Sequence, residues 1–203
     1  VAICGRTGSG KSSIVLLLLR LLDPLSSCRD HTTIDDIPLY KIDRTVLRDR
    51  FITIPQEPSF LPDGTSIQSN LDPYGLSDEQ QCKTALEAVG LWESVQRQGG
   101  LGAALFASSL SQGQKQLFSL ARAVLRRRVR TADQLLVKGA STEGKCSGGV
   151  LLVDEVSSTV DGDTELAMQA VIQREFEGYT VVMVTHRLEM VKGFDRLVVM
   201  DKG

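Results

Sequence analysis

The sequence predicts an α/β fold with a mainly parallel sheet flanked by helices, and three observations carry that expectation. Short apolar runs alternate with helical patterns along the chain. The first run, Val1–Cys4, leads directly into the glycine-rich turn Gly5–Gly10 and then into a helical segment. A later run, Val150–Val153, ends in two adjacent carboxylates, Asp154 and Glu155. Strands buried on both faces read as continuous apolar stretches of this kind.

Taken in order, the expected strands are Val1–Cys4, Phe51–Ile54 (ended by Pro55), Val150–Val153, Tyr179–Thr185 and Arg196–Met200. The helix Lys11–Leu22 is apolar nearly all round, which predicts enclosure by the fold, and Asp23-Pro24 stops it. Further on, Ser77 followed by Gln80 reads as a capping box. Cys82, Ala85, Leu86 and Val89 then recur at i, i+3, i+4 and i+7, one apolar helix face. A second helix opens after Ser111, with Leu117, Leu120, Ala121 and Val124 at the same spacing.

The stretch Glu57–Ser109 interrupts the strand–helix alternation, so residues 57–125 are expected to form a helical subdomain within the domain 1–203. Arg126, Arg127, Arg128 and Arg130 would close the second helix, where cations suit the negative end of its dipole. A nuclear-import or nucleic-acid patch is the alternative meaning of that run. From there to Gly149 the chain, rich in glycine and serine after Thr131, is expected to be a flexible insertion over 126–149.

Composition narrows the function classes. The 203 residues are 42% hydrophobic and 24% charged, enough for a buried core and against wholesale disorder. Lys and Arg total 23 against 25 Asp and Glu, a net charge of −2 that gives no reason to expect a nucleic-acid partner. The longest apolar run, Ile14–Leu19, falls well short of the roughly 20 residues that a bilayer requires. No leader pattern precedes the glycine turn. Cys4, Cys28, Cys82 and Cys146 are widely spaced and form no CxxC pair, so they read as reduced thiols.

Gly5-Arg6-Thr7-Gly8-Ser9-Gly10-Lys11-Ser12 satisfies G-x-x-x-x-G-K-[ST] between a strand and a helix, the pattern of a phosphate-binding loop. Glycines let several backbone amides turn inward toward phosphate oxygens. The helix that follows adds its unpaired first-turn donors, Ser13 included, and the positive end of its dipole. Lys11 supplies a point charge for the terminal phosphates, and the Ser12 hydroxyl is a hard oxygen ligand for Mg²⁺. A carboxylate ending a buried strand completes such sites: Asp154 would hold the Mg²⁺ shell. Glu155 would polarise an attacking water, a general-base role worth about 10²–10⁴-fold. Gln56 and His186 follow two other expected strands, at the ends where ligands gather in parallel sheets. Gln56 offers an amide oxygen to Mg²⁺ or the attacking water, and His186 a donor to the γ-phosphate. His31 reads as a surface residue.

Leu110-Ser111-Gln112-Gly113-Gln114, at the start of the second helix, resembles the signature motif of ATP-binding cassette (ABC) ATPases. Ser157-Ser158-Thr159-Val160-Asp161 looks like the D-loop of that family, with Ser158 and Asp161 as its polar members. The order cradle, Gln56, signature, Asp154-Glu155, D-loop, His186 spans the whole chain. Ile54–Pro58, Ser69–Pro73 and Ala121-Arg122-Ala123 are similar to the second nucleotide-binding domain of subfamily C, the multidrug-resistance-associated transporters.

The resemblance implies a P-loop core with a helical signature subdomain that binds ATP with Mg²⁺ and hydrolyses it to power export of organic solutes or conjugates. It implies two partners: a second nucleotide-binding domain, arranged head to tail so that each ATP is sandwiched, and transmembrane domains that place the cassette at the cytoplasmic face of a membrane. A regulatory nucleotide-sensing cassette, or a soluble non-transporting one, stays open as an alternative. Three departures stand out. Gln112 occupies a signature position that is usually glycine, which bears on the partner's composite site. The segment Arg126–Gly149 is longer than the family's usual connection. The adenine-stacking aromatic and some antiparallel strands, normally upstream of the cradle, are absent, so the chain is expected to be a piece of a longer polypeptide.

Overall fold

The computed structural model describes residues 1–138, 148–154, 161–186, 191 and 193–201, the side chains of 133–138 excepted. The chain divides into two compact units, one drawn from Val1–Thr53, Gly149–Glu155 and Thr180–Gly203, the other from Ile54–Gly148 and Val156–Tyr179.

The first unit is built on a sheet. Strands β1 (Ala2–Gly5), β4 (Phe51–Ile54), β5 (Val150–Asp154), β6 (Thr180–Thr185) and β7 (Leu197–Met200) lie in the order β4-β5-β6-β1-β7. The pairs β5–β6, β6–β1 and β1–β7 are parallel. All five coincide with expected strands to within a residue at each end. Ile3, Phe51, Leu152 and Val184 from the sheet pack with Val15, Leu39 and Leu47 in one apolar core.

A small hairpin, β2 (Thr33–Ile34) with β3 (Ile37–Pro38), was not expected. Its turn is Asp35-Asp36, both at positive φ, 48° and 63°. Such turns favour Asn and Gly, so two aspartates give a weak hairpin signal. Helix α2 (Arg44–Arg50) is also new; the Asp43 carboxylate caps it by accepting from the amides of Thr45 and Val46.

Helix α1 covers Lys11–Leu18 and ends four residues before its expected stop. Arg20 adopts φ 52°, and the Arg20 and Leu21 amides bond back to the carbonyls of Leu17 and Leu16. This is a Schellman closure with arginine where glycine is usual. The Arg20 guanidinium donates to the Ile42 carbonyl, which holds that residue in place. The expected enclosure is corrected too: Leu16, Leu21 and Leu22 are exposed, and Val15 carries the buried face.

The second unit is helical, with α3 (Ile67–Leu71), α4 (Glu79–Ala88), α5 (Trp92–Arg97), α6 (Gln112–Lys138) and α7 (Gly162–Glu175). The predicted stripe Cys82, Ala85, Leu86 and Val89 is buried, and α4 packs on α6. On α6 the buried face is Leu120, Ala121 and Val124 with Phe118; Leu117 is only partly covered. The capping box sits one residue later than expected. The Asp78 carboxylate accepts from the Gln81 amide at 2.7 Å, and the Gln81 side chain accepts from the Asp78 amide at 2.9 Å. Ser77 is engaged otherwise, its amide donating to Asp72 at 2.6 Å.

The second helix does not close at the arginine run. It continues through Lys138, because no glycine or proline occurs before Gly139. Residues 126–138 of the expected insertion are therefore helical, and 139–147 lie outside the described residues. Arg127 and Arg128, now within a helix rather than at its end, pair with the buried Glu175 of α7. Arg128 makes a two-pronged contact at 2.9 and 3.2 Å, and Arg127 lies at 3.6 Å. Arg174 approaches the same carboxylate at 3.4 Å. A buried carboxylate needs such company, because desolvation penalises a lone charge by several kcal/mol or about that order.

Candidate nucleotide site

The cradle begins where β1 ends. A Cβ on Gly5 would lie 2.4 Å from the Met200 carbonyl and 2.7 Å from Ser9 Oγ, so only glycine lets β1 enter the turn here. Gly10, the residue before α1, stands at φ 91°, a left-handed conformation that lets the chain curl into the helix. No side chain caps the first turn of α1. Lys11 is buried, and its ammonium donates to the carbonyls of Gly5 and Arg6 at 2.8 and 3.0 Å, drawing the two ends of the loop together. Ser9 Oγ is buried without a partner. Arg6, Thr7, Gly8, Ser12 and Ser13 are exposed around the rim.

Bare first-turn amides, an orphaned hydroxyl and a lysine charge suit a phosphate chain. Burial pushes the Cys4 thiol on β1 above its ordinary value, against the opposing pull of Lys11. It stays protonated and takes no charge away from the cradle.

Strand register places the polar residues of the first unit along one edge. Asp154 lies opposite Val184 on β6, and Cys4 of β1 lies opposite Thr185. Because β5, β6 and β1 run parallel and adjacent, Asp154, His186 and the cradle all occur at their carboxyl ends. Asp154 is half-buried and His186 exposed there. Ser12 and Asp154 offer the hard oxygens that Mg²⁺ prefers. Glu155 and Ser158 lie outside the described residues.

The remaining expected residues belong to the second unit. Gln56 is exposed, and its backbone carbonyl accepts from Gln116 Nε2 at 2.7 Å. Ser111 Oγ accepts from the Gln114 amide at 3.1 Å while the Gln114 side chain accepts from the Ser111 amide at 2.9 Å. The pentapeptide thus closes α6 with its own capping box, which leaves the serine hydroxyl proton free to donate outward. Leu110 is partly covered and Gln112 exposed. A Cβ on Gly113 would make ordinary contacts with Thr164 at 3.5 Å and Asp161 at 3.8 Å. Asp161 caps α7, its carboxylate accepting from the Thr164 amide and hydroxyl at 2.9 Å each. Those bonds hold its pKa below the ordinary value.

Sequence reasoning passed over Gln116, and gave Asn70 and Arg122 only as resemblance marks. They hold the stretch after Gln56. Arg122 Nε donates to the Asn70 carbonyl at 2.7 Å and its Nη1 to Ser59, with the guanidinium 5.0 Å from the Phe60 ring and 5.1 Å from Phe118. Burial lowers the Arg122 pKa to about 10. Asn70, fully buried, accepts from the Leu61 amide at 2.9 Å.

A parallel sheet with a glycine-turned phosphate cradle at its carboxyl edge defines the P-loop nucleotide-binding class of α/β domains. A bacterial Atm1-family ABC exporter solved with ATP bound shares the fold, at TM-score 0.78 and 24% identity, over all of this chain and 32% of that one. The ABC transporter family model matches residues 1–131. The chain is 56% identical over 203 residues to the ABC-type transporter braE of Annulohypoxylon truncatum and 39% identical to ABC multidrug transporter B of Aspergillus fumigatus. Both matches cover all of this chain but only 13% and 12% of those proteins. The chain belongs to the ABC transporter family. Among the described residues, no helix is long and apolar enough to cross a membrane.

Proposed function

We propose that this chain is the second nucleotide-binding cassette of a subfamily C transporter, hydrolysing ATP to drive export of organic solutes or conjugates. One observation carries the catalytic half: Asp154, His186 and the uncapped start of α1 share the carboxyl edge of three adjacent parallel strands. In this reading the amides of the cradle from Gly5 to Ser13, together with Lys11, bind the phosphates. Glu155 takes a proton from the water that attacks the γ-phosphorus; the bond from that phosphorus to the β–γ bridging oxygen breaks, ADP leaves with the oxygen, and the proton passes to solvent with the released phosphate. His186 donates to the γ-phosphate and orients it for in-line attack. Ser12 and Asp154 would hold Mg²⁺, with Gln56 added by resemblance; the ion supplies charge neutralisation when bound.

The signature Ser111–Gln114, through the free hydroxyl proton of Ser111, would serve ATP held by a second cassette. Gln112 there weakens that partner site relative to the one carrying Glu155, so turnover is asymmetric. Closure of the two cassettes biases transmembrane helices between access states, which places the protein in a membrane with the cassette on its cytoplasmic side. Membership of a family of transporters, and relatives several times longer than this chain, support these partners.

The test is Lys11→Ala in the full-length protein. It removes a charge-assisted contact and the brace across Gly5 and Arg6, so ATP affinity is expected to fall on the order of a hundredfold or more. Unchanged affinity refutes the cradle.

A further inference from the structure

Gln116 stands out as a costly residue for its place. It is 2% exposed on α6, and its Oε1 is buried without a partner, although its Nε2 reaches the Gln56 carbonyl at 2.7 Å. A buried amide with one end unsatisfied destabilises a fold, by about 1–3 kcal/mol for such groups in general. Leucine or methionine would fill the same space without that orphaned oxygen. The stretch it holds is gripped again further along, by Arg122 at Ser59 and by Asn70 at Leu61. Removing Gln116 therefore releases the backbone at Gln56 and little else.

The same helix carries the Ser111–Gln114 capping box at its start, five residues before Gln116. Within the second unit, Gln56 and the signature turn are thus tied to one rigid element.

We propose that Gln116 is a positioning residue: by fixing the Gln56 carbonyl to α6, it sets how the Gln56 amide stands relative to that helix and to the signature turn at its start. This rests on the assignment of ATP hydrolysis above. The Gln56 carbonyl accepts the Nε2 hydrogen, no bond is made or broken, and Gln116 itself touches neither ATP nor metal.

The experiment compares Gln116→Met and Gln116→His in the full-length transporter, reading ATPase kcat, ATP affinity and thermal unfolding together. Methionine fills the site without a donor; histidine keeps an N–H at similar reach. Gln116→Met is expected to lower kcat by roughly tenfold to a hundredfold, the scale of a small misplacement. Its ATP affinity should stay within about twofold, as expected for groups placed for the transition state, and its unfolding temperature should be unchanged or higher. Gln116→His is expected to recover most of kcat. Equal kcat in the methionine variant and the unaltered protein overturns the proposal. So does a loss of kcat in both variants that tracks lower stability and weaker ATP binding. Should methionine prevent folding, a histidine variant that folds yet has lost turnover as fully overturns it as well. Lys11→Ala, run alongside, separates the two levels: retained ATP binding in that variant refutes the nucleotide site itself, whatever the Gln116 variants do.

Discussion

Two helix starts in this chain face the same physical problem and solve it oppositely. The first-turn amides of α1 have no side-chain cap: Gly10 precedes them in a left-handed turn, and Lys11 braces the loop. The start of α6 is closed by Ser111 and Gln114, each accepting from the other's amide. Unpaired donors at a helix start must find water, a side chain or a ligand. Left open, α1 has first-turn amides that no side chain caps, the arrangement that suits an anion. Closed on itself, α6 has one serine proton to offer, enough to complete a site but not to make one. In the proposed ATP sandwich the two halves would therefore be unequal by construction, the α1 start gripping and the α6 start completing.

Substitutions can break that contrast. Gly10→Ala puts a side chain at φ 91°, which disfavours the native turn by about 1–2 kcal/mol. It should weaken ATP binding by roughly tenfold or more through the lost cradle shape; isothermal titration with ATP checks this. Ser111→Ala should cost about 1 kcal/mol in thermal unfolding as the cap is lost. It leaves ATP affinity at this chain's cradle unchanged, while turnover at the partner's site slows in a steady-state assay.

The smallest effect is in acid. Asp161, the carboxylate cap of α7, has a folded pKa held below 3.8 by its bonds to Thr164. Its stabilisation is present above that ordinary value and is lost as pH falls through the lowered one. The α6 cap, a hydroxyl and an amide, does not titrate. Acidification should therefore lower the protection of the Thr164 amide, relative to its intrinsic exchange rate at each pH, before that of Gln114; the reverse order would show that the caps are not what holds these turns.

Legibility followed locality. The cradle is one run of eight residues from Gly5 to Ser12, whose glycines, lysine and final serine are needed for nearby reasons, so its chemistry is readable without the fold. The five sheet strands were readable because they are continuous apolar runs. Helix ends were less so. Arg20 takes a glycine-like conformation because the Ile42 carbonyl, distant in sequence, holds its side chain. The arginines after Arg126 read as a helix end until Glu175 of α7 supplied their partner. Ser77 and Asp78 are both followed by glutamine at the right spacing, and only the competing Asp72 carboxylate decides between them. The bond from Gln116 to Gln56 joins residues sixty apart in sequence, and no local pattern announces it.

The claim that one ATP is held by this chain's cradle and a second cassette's signature turn is tested most directly by occlusion of ATP in Glu155→Gln. In the full-length protein this variant should bind ATP, turn over about 10²–10⁴-fold more slowly, and keep intact nucleotide through rapid washing. Adding Lys11→Ala should abolish that retention. Normal turnover in Glu155→Gln, or ATP that washes away as quickly as from the unaltered protein, would contradict the account.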